Sequence, residues 1–337
     1  MRTLTVGLLA VCLVAVGASA YNIGIFVPGF IQGSPLYEDM VAGVELVLAE
    51  NPDVTYKAVE AGFDQSTWSE QMVSMAATEE YDLIVTSNGA MPEFSAEAAE
   101  QFPNQKWLIV DSVASGDDQF YTVLYNQIEQ AGVMGYLAGL VTQSDMAGAN
   151  ADLKIGFIAG QEYAALNNMI KPGYELGAQL ANPDIEVDFR ILGNWYDAGK
   201  AGELANSMID AGVDVIMTAC GGANAGVIGA CEARGAYVLY LDKDNYELSD
   251  SIIACSELAQ VQAVYEYVTA AVAGELVWGE YKVLGIEDGY VDFVDSNPAY
   301  AARVSAEVVA EMGVFLADLR SFVHTWLKSQ MVVPVYW

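Results

Sequence analysis

The sequence predicts an α/β protein of two lobes, each a parallel sheet flanked by helices, joined by chain crossovers. Short apolar runs alternate with amphipathic stretches from Tyr21 to about Leu276, and the whole pattern occurs twice. The third observation is bulk: 337 residues with 54% hydrophobic content are enough to fill two large cores.

In the first half the strands read Asn22–Val27, Val54–Val59, Leu83–Thr86, Trp107–Asp111 and Tyr121–Tyr125. The second half repeats them as Lys154–Ala159, Glu186–Leu192, Val213–Thr218, Tyr237–Asp242 and Ser251–Cys255. Each is a short run rich in β-branched and aromatic residues. Between them lie Glu38–Glu50, Gln127–Gln143, Lys200–Ala211 and Val261–Ala273, whose apolar residues recur at helical spacing. Pro28-Gly29, Pro103, Pro172-Gly173, Pro183 and Gly221-Gly222 mark the joints.

After Gly279 the rhythm changes to Tyr281–Leu284, Tyr290–Val294, a long helix near Ala299–Lys328 with a break, and a final strand at Met331–Val335. With no low-complexity linker in between, the lobes share several crossovers. Residues 21–126 with 256–300 are expected in the first lobe, and 127–255 with 301–337 in the second.

The N-terminus reads as a secretory signal. Arg2, an apolar run from Val6 to Val16 and Ala18-Ser19-Ala20 supply its n-region, h-region and cleavage pattern, so residues 1–20 are expected to be removed and the mature chain to begin at Tyr21. The apolar run is shorter than the roughly 20 residues a spanning helix needs. Leu9-Ala10-Val11-Cys12 faintly resembles a lipoprotein box, but Val11 is large where that box wants a small residue, and Cys12 reads as part of the h-region. The expected location is periplasmic or extracellular.

The formal charge of −32 becomes −33 without Arg2, a surface that repels nucleic acid and anionic lipid. Three cysteines follow the signal segment, Cys220, Cys231 and Cys255, so at least one thiol is unpaired; buried small hydrophobes are the preferred role, with one disulfide as the alternative. Neither they nor the single histidine, His324, has a metal-ligand spacing, so no metal and no cofactor is expected.

In open α/β sheets ligands bind beyond the carboxyl ends of the strands. That rule directs attention to Pro28–Tyr37, Ser87–Met91, Asp111-Ser112, Gly160–Tyr163, Asn194–Asp197, Cys220–Asn224 and Asp242–Asn245. These loops hold aromatics, carboxylates, amides and glycines but no nucleophile, base and orienter. The chain has no G-x-S-x-G, C-x-x-C or G-x-x-x-x-G-K, and binding is favoured over turnover.

A series of motifs in fixed order goes further. Lys154-Ile155-Gly156-Phe157-Ile158-Ala159-Gly160, Gly173-Tyr174-Glu175-Leu176-Gly177, Asn182-Pro183-Asp184-Ile185, Trp195-Tyr196-Asp197 with Lys200, and Ala219-Cys220-Gly221-Gly222 resemble the basic membrane protein (BMP), or PnrA-like, family. The resemblance implies a substrate-binding protein of an ABC transporter, with two Rossmann-like lobes in the type I periplasmic-binding-protein architecture. It also implies a membrane permease as partner, a monomer as the working form, and a purine nucleoside or, in one branch, riboflavin as ligand.

Carried over by position, Trp195 falls on the family's stacking aromatic, Asp111 on the carboxylate that accepts from the ligand ring, and Asp242 on the one that holds sugar hydroxyls. A heterocycle gains about 1–3 kcal/mol from an aromatic face, and a carboxylate can accept from two vicinal hydroxyls. The alternatives are a core aromatic for Trp195 and helix N-caps for both carboxylates. Phe30, Tyr37, Asn88 and Gly222 complete the expected ligand-binding set.

Two departures bear on the ligand. The first loop, Gly29 to Tyr37, lacks the family's Asp-rich, Phe-Asn-bearing segment, so Tyr37 or Phe30 would supply the second stacking face. Leu258 stands where many relatives carry a lysine that contacts the sugar. An aromatic cleft with few cations, to which Tyr163 and Tyr196 are further candidates, suits a nucleoside or the larger isoalloxazine of riboflavin. A third reading, from another class, is a secreted nucleoside hydrolase with Asp111 or Asp242 as base.

Overall fold

The computed structural model describes residues 20–323 and 325–333. Residues 1–19, which hold most of the expected signal segment and Cys12, together with His324 and residues 334–337, lie outside the described residues. Among the described residues twelve strands form two sheets of six. The first contains β1 (Tyr21–Val27), β2 (Val54–Glu60), β3 (Leu83–Ser87), β4 (Lys106–Val110), β5 (Phe120–Tyr125) and β11 (Tyr281–Leu284), in the order β11-β5-β4-β3-β1-β2 and parallel throughout.

The second contains β6 (Lys154–Ala159), β7 (Glu186–Ile191), β8 (Val213–Ala219), β9 (Tyr237–Tyr240), β10 (Ile252–Leu258) and β12 (Val291–Phe293), in the order β12-β10-β9-β8-β6-β7. Only β12 runs antiparallel there, paired Ser256↔Phe293 with β10.

The strands read as nearly unbroken apolar runs because both faces of each parallel sheet are covered. In the first sheet Ile23, Ile25, Val27, Leu83, Val85, Leu108 and Val110 face one core. Their neighbours Phe26, Ile84, Trp107 and Ile109 face the other, with Trp68, Met72 and Met91 of the flanking helices. The period-two alternation therefore sorts side chains between two buried layers rather than between core and water.

The centre of the second lobe is the Gln127–Thr142 helix, buried along nearly its whole length and apolar on every side. It crosses the Lys171–Ala181 helix at glycines: a Cβ on Gly135 would lie 2.0 Å from the Tyr174 carbonyl oxygen, and one on Gly177 would lie 1.9 Å from that of Gly132. Only hydrogen fits at either point.

The chain passes between the lobes three times, from β5 into the Gln127–Thr142 helix, from β10 into the Gln260–Val272 helix, and from β11 to β12. The passages are bonded to one another. Asn126 N donates to Leu284 O at 2.8 Å and Ala259 N to Tyr290 O at 2.8 Å. Ile286 N donates to the Glu129 carboxylate at 2.8 Å, and burial pushes that carboxyl up to about 7.

Three expectations need correcting. Placing 256–300 in the first lobe fails for Val291–Phe293, which pairs with β10; its apolar pattern identifies a strand but not the sheet edge it joins. The helix expected over Ala299–Lys328 forms as three pieces, Pro298–Arg303, Ala306–Leu319 and Trp326–Gln330. The break at Val304 follows from Ser305, whose hydroxyl caps a new helix by accepting from Val308 N. Met331–Val333 form no strand, and the remainder of that expected strand is outside the described residues.

Gly177→Ala is expected to lose about 3 kcal/mol in urea denaturation, since backbone must move to admit the methyl group. Gly313→Ala, in the Ala306–Leu319 helix with nothing within 4 Å of the new Cβ, should instead gain about 0.5–1 kcal/mol.

Candidate ligand-binding cleft

Strand order reverses once in each sheet, between β1 and β3 in the first and between β6 and β8 in the second. The loops leaving these strands open a crevice at their carboxyl ends. From the first lobe come Pro28–Tyr37, Asn88 and Asp111; from the second come Gly160–Tyr163, Trp195, Gly221-Gly222 and Asp242.

Three of these residues hold left-handed backbone without being glycine: Asn88 (φ 136°), Asp111 (φ 55°) and Asp242 (φ 77°). Such conformations cost on the order of 1–3 kcal/mol and concentrate at functional sites. They also end the strands. Asp111 and Asp242 were expected as last residues of strands, but the strands stop at Val110 and Tyr240, and both residues hold left-handed backbone beyond them.

Asp111 and Asp242 interact across the space between the lobes. Burial pushes the Asp111 carboxyl up to about 7, and the negative charge of Asp242 adds to the effect. One Asp111 oxygen, Oδ1, is buried without a hydrogen-bond partner. Asp242 is raised too, chiefly by burial, while a bond from Gln130 Nε2 to its Oδ1 at 3.0 Å works the other way. Neither carboxylate caps a helix; Asp197 does, accepting from Lys200 N at 3.0 Å.

Trp195 is 38% exposed. Its ring lies directly over Gly160, where a Cβ would come within 2.3 Å of Cε3. Its Nε1 donates to Gln161 Oε1 at 3.0 Å, and the Tyr163 ring sits 6.0 Å away at 48°. Gly221 and Gly222 pass close to the Trp195 backbone, whose carbonyl accepts from Ala223 N at 3.2 Å. The indole is thus clamped on one side, with the other available. Tyr163 lies near Asp242 and Asp111, whose charges, after burial, push its hydroxyl far upwards.

Tyr37 is only 8% exposed. Its hydroxyl donates to Pro28 O at 3.4 Å and meets Asn88, and burial pushes it up to about 12. A ring buried to this degree presents an edge rather than a stacking face. Phe30 packs edge-on against exposed Phe63, with centroids 5.3 Å apart, and Gly29 separates Phe63 from Tyr37. Tyr196 points into solvent and joins no cluster. Cys220, Cys231 and Cys255 are buried and free, and burial pushes the Cys220 thiol up to about 11.

Sequence reasoning overlooked two features. Gln130 hides within an apolar helix, its only signal being an amide where the pattern calls for a hydrophobe. Lys243, next to Asp242, reaches across to Asp39 of the Pro35–Glu50 helix at 4.0 Å, an ion pair spanning the lobes.

Two α/β lobes hinged by three crossovers, with aromatic and carboxylate side chains converging between them, define a two-lobed solute-binding protein. The profile of the family described as ABC transporter substrate-binding protein PnrA-like matches residues 20–311, and the chain belongs to that family. It is 24% identical over 253 residues to a CD4+ T-cell-stimulating antigen of Listeria monocytogenes, covering 70% of this chain and 68% of the relative. It is 29% identical over 201 residues to the ABC transporter nucleoside-binding protein BmpA of Lactococcus lactis, covering 60% of this chain and 54% of that protein. An ABC-transporter solute-binding protein of Aeropyrum pernix K1 has the same fold, with a TM-score of 0.72 and 20% identity over 94% of each chain.

Family membership makes the protein the solute-capturing component of an ABC transporter, with a small-molecule ligand and a permease as partners. Proteins of this family work on the outer side of the membrane. No helix among the described residues is long and apolar enough to cross a membrane.

The raised Asp111 carboxyl yields a stability test. An unfolded aspartate titrates near pH 3.9, so between about pH 4 and 7 the ligand-free folded state binds more protons than the unfolded state, and stability falls as pH rises through that window. Asp111→Asn should therefore be more stable than the parent at pH 8 and equal to it at pH 4, by denaturant titration at both.

Proposed function

We propose that the protein captures a purine nucleoside between its lobes and delivers it to the permease. The observation that carries this reading is an exposed indole, Trp195, on the same side of the molecule as two carboxylates, Asp111 and Asp242, contributed by opposite lobes and near enough for the charge of one to act on the other. The nucleoside-binding relative from Lactococcus lactis supports the ligand class.

In this reading the purine stacks on Trp195 with Tyr163 beside it, and Asp111 accepts a ring N–H through the oxygen that has no partner. Asp242 accepts from the vicinal hydroxyls of ribose. Asn88 and the Tyr37 hydroxyl complete the edge on the first lobe, Gly222 keeps backbone close to the indole, and Phe30 with Phe63 forms an apolar rim.

Ligand donors placed between the carboxylates relieve their repulsion, so binding favours the closed lobes through contacts that the open state lacks. The Lys243–Asp39 pair adds to closure. A nucleotide would bring its phosphate against two carboxylates on a chain of net charge −32, and is rejected. The lysine absent at position 258 leaves the sugar to carboxylate acceptors.

The test is calorimetric titration of protein freed of bound solute, with adenosine, guanosine, inosine, inosine monophosphate and riboflavin. Binding of guanosine and inosine, whose N1–H Asp111 can accept, with adenosine weaker and the monophosphate not bound, is the expected result. A yellow protein that binds riboflavin and no nucleoside would overturn it, and release of free base would mark a hydrolase. Trp195→Ala should weaken nucleoside binding by about 10–100-fold, the worth of one stacked base. Because Asp111 must be ionised to accept a ring N–H, affinity should fall as pH drops below about 7.

A further inference from the structure

Gln130 is 1% exposed, in a helix buried along nearly its whole length. Both of its amide protons are used: Nε2 donates to Asp242 Oδ1 at 3.0 Å and to Ser256 Oγ of β10 at 3.2 Å. Its carbonyl oxygen, Oε1, is buried with no partner. Leaving such an acceptor unpaired costs about 1–3 kcal/mol, and reversing the amide would only set Oε1 against the Asp242 carboxylate. The arrangement is thus costly for folding and has one evident beneficiary, the side chain of Asp242.

We propose that Gln130 is the positioning residue of the site, locking the Asp242 carboxylate in the rotamer that faces the ligand hydroxyls and leaving Oδ2 to accept from them. Asp242 sits on left-handed backbone at the start of the loop that leaves β9, so without an anchor its carboxylate would sample several directions. The anchor is rigid. One residue earlier on the same helical turn, Glu129 accepts from Ile286 N in the third crossover, so the aim of Asp242 is fixed relative to the hinge.

This inference rests on the nucleoside reading for its ligand but not for its whole test. Gln130→Met keeps the volume and removes both the donor and the stranded carbonyl. Asp111, Tyr163 and Tyr240 also face Asp242, and Lys243 follows it in sequence, so its titration is followed by carboxyl 13C NMR in an Asp111→Asn background. The bond from Gln130 favours the ionised form. Gln130→Met should therefore raise the Asp242 titration midpoint in ligand-free protein, lower inosine affinity about tenfold when Asp111 is intact, and leave Tm unchanged or higher.

A lower Tm with Asp242 titration and inosine affinity both unchanged would make Gln130 a packing residue and overturn the proposal. If the parent binds no nucleoside, the ligand-free titration decides alone. Should Gln130→Met fail to fold, Gln130→Asn keeps an amide that is too short to reach Asp242, and the same shift in titration is expected of it; no shift would count against the proposal.

Discussion

The repulsion between two carboxylates contributed by opposite lobes organises much of this molecule. Asp111 follows β4 of the first lobe and Asp242 follows β9 of the second, so their repulsion acts on the distance between lobes. In the empty protein it is relieved by a proton or by opening. In the proposed complex it is relieved by hydrogen-bond donors on the solute. A ligand carrying donors at the right separation therefore does two jobs with the same atoms, since satisfying the carboxylates also brings the lobes together.

Stability has been sacrificed around this pair in several small amounts. Left-handed backbone at Asn88, Asp111 and Asp242, the unpartnered Asp111 oxygen and the stranded Gln130 carbonyl all oppose folding. The surrounding lobes absorb these costs through large cores and through contacts such as the glycine-lined crossing of the Gln127–Thr142 and Lys171–Ala181 helices. Three of the five non-glycine residues with left-handed backbone among the described residues stand where the solute is expected; the other two, Glu79 and Leu153, lie away from it.

Much of the fold was legible because parallel strands buried on both faces leave an unmistakable trace, and runs such as Lys154–Ala159 and Tyr281–Leu284 form as their residues suggest. What a run cannot express is its neighbour, and so the strand at Val291–Phe293 was assigned to the wrong sheet. The loops at strand ends located the candidate site, since the carboxyl-end rule depends only on topology. It did not disclose that Tyr37 would be buried to its hydroxyl, or that Phe30 would turn to Phe63, because both depend on how a loop packs. Gln130 was invisible for another reason: its partner Asp242 is far along the chain, and an amide in an apolar helix has no periodic signature.

The three bonded passages between lobes have a mechanical meaning. A single strand would let the lobes swivel, and two would let them shear, but three segments laid side by side and tied at Asn126–Leu284, Ile286–Glu129 and Ala259–Tyr290 behave as a flat ribbon. A ribbon resists shear within its own plane and yields more readily to bending out of it. Side-by-side passages therefore favour opening and closing of the lobes over sliding of one past the other, and a solute large enough to hold the lobes apart would present the permease with a differently shaped surface from one that lets them shut.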